Sequence, residues 1–186
     1  MSADAEPTIW TIGHSTRSAD AFVALLQEYG IESLADVRRF PGSRRHPQFE
    51  REALRRLLAA EGIGYDHFPA LGGRREPRPD SRNTGWREAA FRGYADYMET
   101  ESFRNGLAQL IDAAARRRTA IMCAEARWRS CHRGLIADAL RIRGLEVAHI
   151  VDAQRTELHP YTAAARVIGA ELSYAATPMV QQQLDF

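Results

Sequence analysis

The chain has 186 residues, 45% of them hydrophobic, and a formal net charge of +1. This length suits one domain around a single core, and no apolar run is long enough to span a bilayer, which sets a membrane protein aside. All 25 basic residues are arginine, so catalysis by a lysine amine is excluded and bidentate contacts to phosphate or carboxylate are favoured; near-zero net charge argues against a protein that coats nucleic acid.

The N-terminal stretch MSADAEPT is acidic and polar and has no secretory pattern. The first strand is expected over residues 8–13, TIWTIG. Ser18 reads as the N-cap of a helix that reaches Tyr29. A second strand follows at 33–38. The stretch RFPGSRRHPQ is a loop, punctuated by Pro41, Gly42 and Pro47. A helix over 49–61 and a third strand over 63–68 come next. Residues 70–85, ALGGRREPRPDSRNTG, form a long polar loop of the kind that borders functional sites. Helices are expected at 86–98 and 101–117, a fourth strand at TAIMCA, a helix at 131–143 and a fifth strand at 145–151. The chain after 160 is less regular, with one further short strand at ELSYAA.

Three segments share one pattern: LLQEYGIESLADV, LLAAEGIGYDHF and ALRIRGLEVAHIV. Each is the end of an amphipathic helix, a glycine, then a strand. Gly30, Gly62 and Gly144 suit the left-handed position that closes a helix. The alternation predicts an α/β fold, a single Rossmann-like three-layer domain with a mainly parallel sheet of about five strands. Residues 1–160 form the domain in this reading, and 161–186 a C-terminal extension.

Ligands of open α/β sheets bind beyond the carboxyl ends of the strands. Reactive side chains gather there: His14, Ser15 and Thr16 after the first strand, Asp36, Arg38, Arg39 and Ser43 after the second, Cys123 and Glu125 after the fourth. His14, Glu125, Cys131 and His132 are candidates for acid–base or nucleophilic chemistry. Ser15, Arg38, Ser43 and Arg133 are candidates for holding an anion. Gly13, Asp36, Gly72, Gly73 and Cys123 read as supporting residues. Asp36 and Arg38 share one face of their strand by its period of two, as a buried ion pair or as a presentation of Arg38 to an anion. Further arginine clusters stand at 44–45, 74–75 and 116–118.

The only two cysteines lie in MCAEARWRSCHRG, residues 122–134. Two cysteines without a framework spacing suit a reducing, cytoplasmic setting. Cys123 has the size and position of a small buried hydrophobe. Cys131 is expected in the first turn of the next helix, where the helix dipole and His132, Arg129 and Arg133 favour a thiolate or a bound anion. Cys123 and Arg129 have the C-x5-R spacing of a phosphatase loop. However, AEARW lacks glycine, and Glu125 would repel phosphate. Cys123, Cys131, His132 and His14 form a soft donor set for zinc or iron. The C-x7-C-H spacing is not a standard structural zinc pattern, and adjacent residues rarely both bind one ion, so no metal site is assigned.

The motifs TIGHST (11–16), DVRRFPGSRRHPQF (36–49), YDHFPALGG (65–73), MCAEARWRSCHRGLIADAL (122–140) and EVAHI (146–150) resemble the domain of unknown function 488 family. The resemblance implies a cytoplasmic α/β protein of no established activity; some members carry a DNA-repair label. It places motif residues on Gly13, His14, Ser15, Asp36, Arg38, Pro41, Ser43, Phe49, Tyr65, Leu71, Gly72, Gly73, Cys123, Glu125, Cys131, His132 and Arg133. Arg129 is outside that pattern, and ARWR departs from it. The chain ends QQQLDF, in which Gln181, Leu184 and Phe186 resemble the short peptide that docks repair proteins on a polymerase sliding clamp. Three readings stand together: an enzyme acting on a phosphorylated small molecule or nucleic acid, a non-catalytic repair accessory on the clamp, and a metal- or redox-responsive regulator using Cys123 and Cys131. The sequence names no cofactor and does not decide between catalysis and binding.

Overall fold

A computed structural model describes residues 8–42 and 44–176. Ser43 and the tail residues Gln181, Leu184 and Phe186 lie outside the described residues. Among the described residues, no helix is long and apolar enough to cross a membrane.

The chain alternates strand and helix as β1 (Thr8–Gly13), α1 (Ala19–Glu28), β2 (Ser33–Asp36), α2 (Arg51–Ala60), β3 (Gly64–His67), α3 (Ala89–Met98), α4 (Glu101–Arg116), β4 (Thr119–Cys123), α5 (Arg133–Arg141) and β5 (Glu146–Ile150). Short strands β6 (Thr156–Leu158), β7 (Arg166–Ile168) and β8 (Glu171–Ser173) complete it. Ser18 caps α1 through its hydroxyl, as expected. Gly30, Gly62 and Gly144 have φ of 61°, 72° and 80°, so the helix–glycine–strand pattern marks left-handed helix ends.

The main sheet has six strands in the order β3-β2-β4-β1-β5-β6. Its first five strands are parallel, and β6 joins β5 antiparallel. The fold is a Rossmann-like α/β domain. Side chains alternate across the sheet. Ile12, Leu34 and Met122 meet Phe22 and Leu26 of α1 and Leu54 and Leu58 of α2 on one face. Ile9, Ala35 and Ile121 meet Tyr94 of α3, Leu107 of α4 and Leu135, Ile136 and Leu140 of α5 on the other. Each face buries an apolar layer, which makes the three-layer stack the stable arrangement of these strands.

Several boundaries differ from the sequence expectation, each for a local reason. Strand β2 stops at Asp36, because the Arg38 backbone N–H turns back to the Asp36 carboxylate. Helix α5 starts at Arg133 rather than 131, because a 3-10 turn over Trp128–Ser130 takes up the preceding residues and Cys131 is extended. The ELSYAA strand exists as β8, but among the described residues it pairs with β7 in a separate two-stranded sheet and does not join the main one. Strand β6 was not expected from its three residues. Helix α5 is buried from Arg133 to Leu140, since residues after β6 close over its outer side.

Candidate functional site

The loops after β1 and β4 run side by side. His14 N–H donates to the Cys123 carbonyl at 2.9 Å, and Ser15 N–H to the Ala124 carbonyl at 2.9 Å. A Cβ on Gly13 would lie 1.9 Å from the Glu125 carbonyl oxygen, so only glycine lets these backbones cross. Ser15 takes φ 51° to complete the turn. The crossing brings residues 13–15 and 123–125 to one edge of a cleft at the carboxyl ends of β1, β2 and β4. The cleft holds about 780 Å³ and is lined by His14, Ser15, Arg38, Cys123, Glu125, Cys131 and His132 among others.

His14 is buried and stacks on Phe49, with ring centroids 4.2 Å apart. Its Nδ1 lies 2.9 Å from the Ser15 carbonyl, which can only accept, so Nδ1 carries the proton and Nε2 is left as the acceptor. Burial pushes its pKa down to about 4, and Arg38 pushes the same way, so the ring is neutral at physiological pH.

Asp36 and Arg38 form a buried ion pair, with Arg38 Nη2 2.6 Å and Nε 2.9 Å from the carboxylate oxygens. The Tyr65 hydroxyl donates to Asp36 at 2.7 Å, and Arg38 Nη1 donates to the Phe49 carbonyl at 2.8 Å. Arg38 still borders the cleft, 3.5 Å from His14 Nε2. Of the two readings of this pair, the ion pair is formed, and the guanidinium is largely occupied by it.

Cys123, Cys131 and His132 converge from two elements. Their donor atoms all lie within 4.8 Å of one another. His132 Nδ1 is 3.7 Å from Cys131 Sγ and 4.0 Å from Cys123 Sγ. Cys131 is extended (φ −138°, ψ 145°) and His132 helical (φ −58°, ψ −13°), and across this change of direction adjacent side chains meet on one side. His132 Nε2 lies 3.0 Å from the Val37 carbonyl, which fixes Nε2–H and turns the Nδ1 lone pair to the sulfurs. A Cβ on Gly73 would lie 2.8 Å from His132 Nδ1, so this glycine lets the long loop close over the ring; Gly72 passes Arg39 in the same way. His14 does not join the group.

Burial raises the Cys131 thiol, but a hydrogen bond from Cys123 and the Arg133 guanidinium act against it and the thiol is held well below its ordinary value. Donating that hydrogen bond, with burial acting in the same direction, keeps Cys123 protonated.

Arg133 does not line the cleft. It is 1% exposed. Its Nε donates to Cys131 Sγ at 3.4 Å, Nη1 to Thr11 Oγ1 at 3.2 Å, and Nη2 to the carbonyls of Glu125 and Ala126. Its donors are turned inward to these groups, and its burial keeps an external anion from reaching them. The start of α5 is also partly satisfied, since the N–H groups of Gly134 and Leu135 donate to the carbonyls of Cys131 and His132. Arg129 leaves the area for Glu157, at 2.9 Å, so Cys123 and Arg129 form no phosphatase loop.

The cleft contains residues not expected individually from the sequence. Arg44, Arg45 and Arg74 line it with Phe40, Phe91 and Tyr94, beside Arg39, which the sequence had already placed after the second strand. The arginines were visible as clusters; the aromatics had no local signature, since their part depends on loop packing.

The family described as Domain of unknown function DUF488 matches the chain over residues 18–140, more than half of it. No curated protein and no solved structure matches it.

Proposed function

This chain belongs to the DUF488 family, a family name that assigns no activity, and from its own cleft we propose that it binds a phosphate-bearing ligand of nucleotide size, free or as the end of a nucleic-acid strand. Charge carries the reading. Five arginines (38, 39, 44, 45 and 74) line the cleft against one carboxylate, Glu125, among the described residues, in a chain of net charge +1. Arg38 is offset by Asp36, which leaves the other four as the phosphate-facing cations. Arginine matches phosphate with two parallel N–H donors, and clustered cations raise the local concentration of an anion.

Size and shape agree with this ligand class. A volume of about 780 Å³ lies within the usual range of small-molecule sites. Phe40, 65% exposed, and Phe91 offer flat apolar surfaces on which a base can stack. Ser15 supplies a hydroxyl at the β1 end. Glu125 repels phosphate and accepts from a sugar hydroxyl or base amine, so it orients the ligand with its phosphate toward the arginines. Neutral His14, with Nε2 as acceptor, is the acid–base group of the cleft.

Fluorescence anisotropy with a labelled nucleoside monophosphate and a 5′-phosphorylated oligonucleotide, at fixed low salt, tests the reading. The double substitution Arg44→Ala, Arg45→Ala is expected to weaken binding at least about 10-fold, or roughly 1.4 kcal/mol, and the unphosphorylated nucleoside to bind weakly to both proteins. Equal affinity of parent and variant, or equal binding with and without phosphate, overturns it.

A further inference from the structure

We infer that Cys123, Cys131 and His132 bind a zinc-class divalent metal ion on the cleft floor, with its fourth coordination position open to the cleft. The geometry of these three residues carries the site, which does not depend on the ligand proposed above.

The spacing fits. A tetrahedral ion with metal–sulfur bonds near 2.3 Å and metal–nitrogen bonds near 2.0 Å sets its donors roughly 3.5–3.8 Å apart. His132 Nδ1 already lies 3.7 and 4.0 Å from the two sulfurs. All three donors lie within 4.8 Å of one another, so side-chain movement of at most about 1 Å closes the set. His132 arrives in the correct tautomer. Its Nε2–H is held by the Val37 carbonyl at 3.0 Å, the outer bond that orients a metal-binding histidine. Gly73 packs against the same ring and limits its rotation.

Charge fits as well. Two thiolates and a neutral imidazole balance a divalent ion, so burying the complex leaves no net charge on the ion and its three ligands. Each sulfur binds as thiolate, and any thiol proton leaves to solvent as the metal–sulfur bond forms. Arg133 Nε, 3.4 Å from Cys131 Sγ, gives that sulfur an outer-shell donor. Two soft sulfurs and one imidazole select zinc, or cobalt as its reporter, over calcium, magnesium and manganese. All three residues line the cleft, so the remaining position faces solvent and any ligand there. Three protein donors with an open fourth position are the pattern of a reactive metal site rather than a purely structural one.

The test uses the full chain, purified under reducing conditions, stripped with a chelator and titrated with Co²⁺ and then Zn²⁺. The expected result is one tightly bound equivalent, with thiolate-to-cobalt charge-transfer absorption and the intense visible bands of a tetrahedral ion. His132→Ala and Cys123→Ser should each lower affinity by about 100-fold or more, beyond the 10–100-fold typical of losing an outer-shell partner, with far-ultraviolet circular dichroism unchanged. His132 is only partly buried, so its variant keeps the test valid if Cys123→Ser fails to fold. Absence of the charge-transfer band, or a spectrum unaltered in His132→Ala, overturns the proposal. The Arg44→Ala, Arg45→Ala protein is expected to load metal normally, so failure of the phosphate reading and failure of the metal site are read separately.

Discussion

Arg133 places a permanent charge inside the protein, and its donors reach three separate pieces of chain: Cys131, Thr11 on β1, and the carbonyls of Glu125 and Ala126. A guanidinium cannot shed its proton, so these bonds are the condition for burying it. Arg133→Met is expected to lower unfolding free energy by about 3 kcal/mol, measured by urea denaturation, because the carbonyls it serves lose their partner. Arg133→Lys should recover little of this, since one ammonium cannot reproduce a planar fork. A loss below about 1 kcal/mol would mean that the network does not hold the β4–α5 connection. The CHR triplet was legible in the sequence as a unit, yet the roles within it were not. Arg133 reads as an anion ligand when its burial is unknown, and as a strut once the crossing of residues 13–15 over 123–125 is seen.

Helix α5 is the element whose surroundings differ most from its pattern. Its sequence is that of an amphipathic helix with one face to solvent, but residues 133–140 are all buried. Asp138 explains how the outer face is covered. Its carboxylate accepts from His159 Nε2 at 2.8 Å, Thr162 N–H at 2.8 Å, the Thr162 hydroxyl and the Tyr174 hydroxyl at 2.8 Å. One side chain therefore ties residues 159–174 to the domain. Asp138→Ala is expected to cost about 3 kcal/mol by leaving these donors unpaired and to loosen this segment first. Hydrogen exchange should show faster exchange over residues 156–174 with β1, β2 and β4 little changed. Uniform loss of protection across the sheet would reject this local role. Strand β6 escaped the sequence reading for a related reason. Three residues carry no measurable period, and their pairing with β5 is fixed by a turn and by His159, whose N–H donates to the Val147 carbonyl at 2.8 Å.

At the scale of the whole molecule, buried neutral histidines tie stability to pH. Burial, with the neighbouring His159 and Arg133, lowers the His149 pKa to about 2; burial lowers His14 to about 4. In the unfolded chain each returns to about 6.5. Between these values the unfolded state binds protons that the folded state does not, so stability is lost as pH falls below about 6.5, by at most about 1.4 kcal/mol per pH unit for each histidine. Urea midpoints should therefore fall from pH 7 to pH 5, and His149→Gln should flatten that slope; a midpoint independent of pH would contradict it. The sequence by itself determined the alternation of helix and strand, the glycine-closed helix ends, the parallel α/β class and the gathering of reactive side chains at the strand ends. These follow from short-range dihedral preferences and from the period of burial, both of which neighbouring residues encode. Only the tertiary structure decided which arginines face the cleft and which are buried, and that Cys123, Cys131 and His132 meet. Those outcomes depend on contacts such as Gly13 beside Cys123 and His132 on Val37. Their partners stand far apart in the chain, and strand order, not local pattern, brings them together.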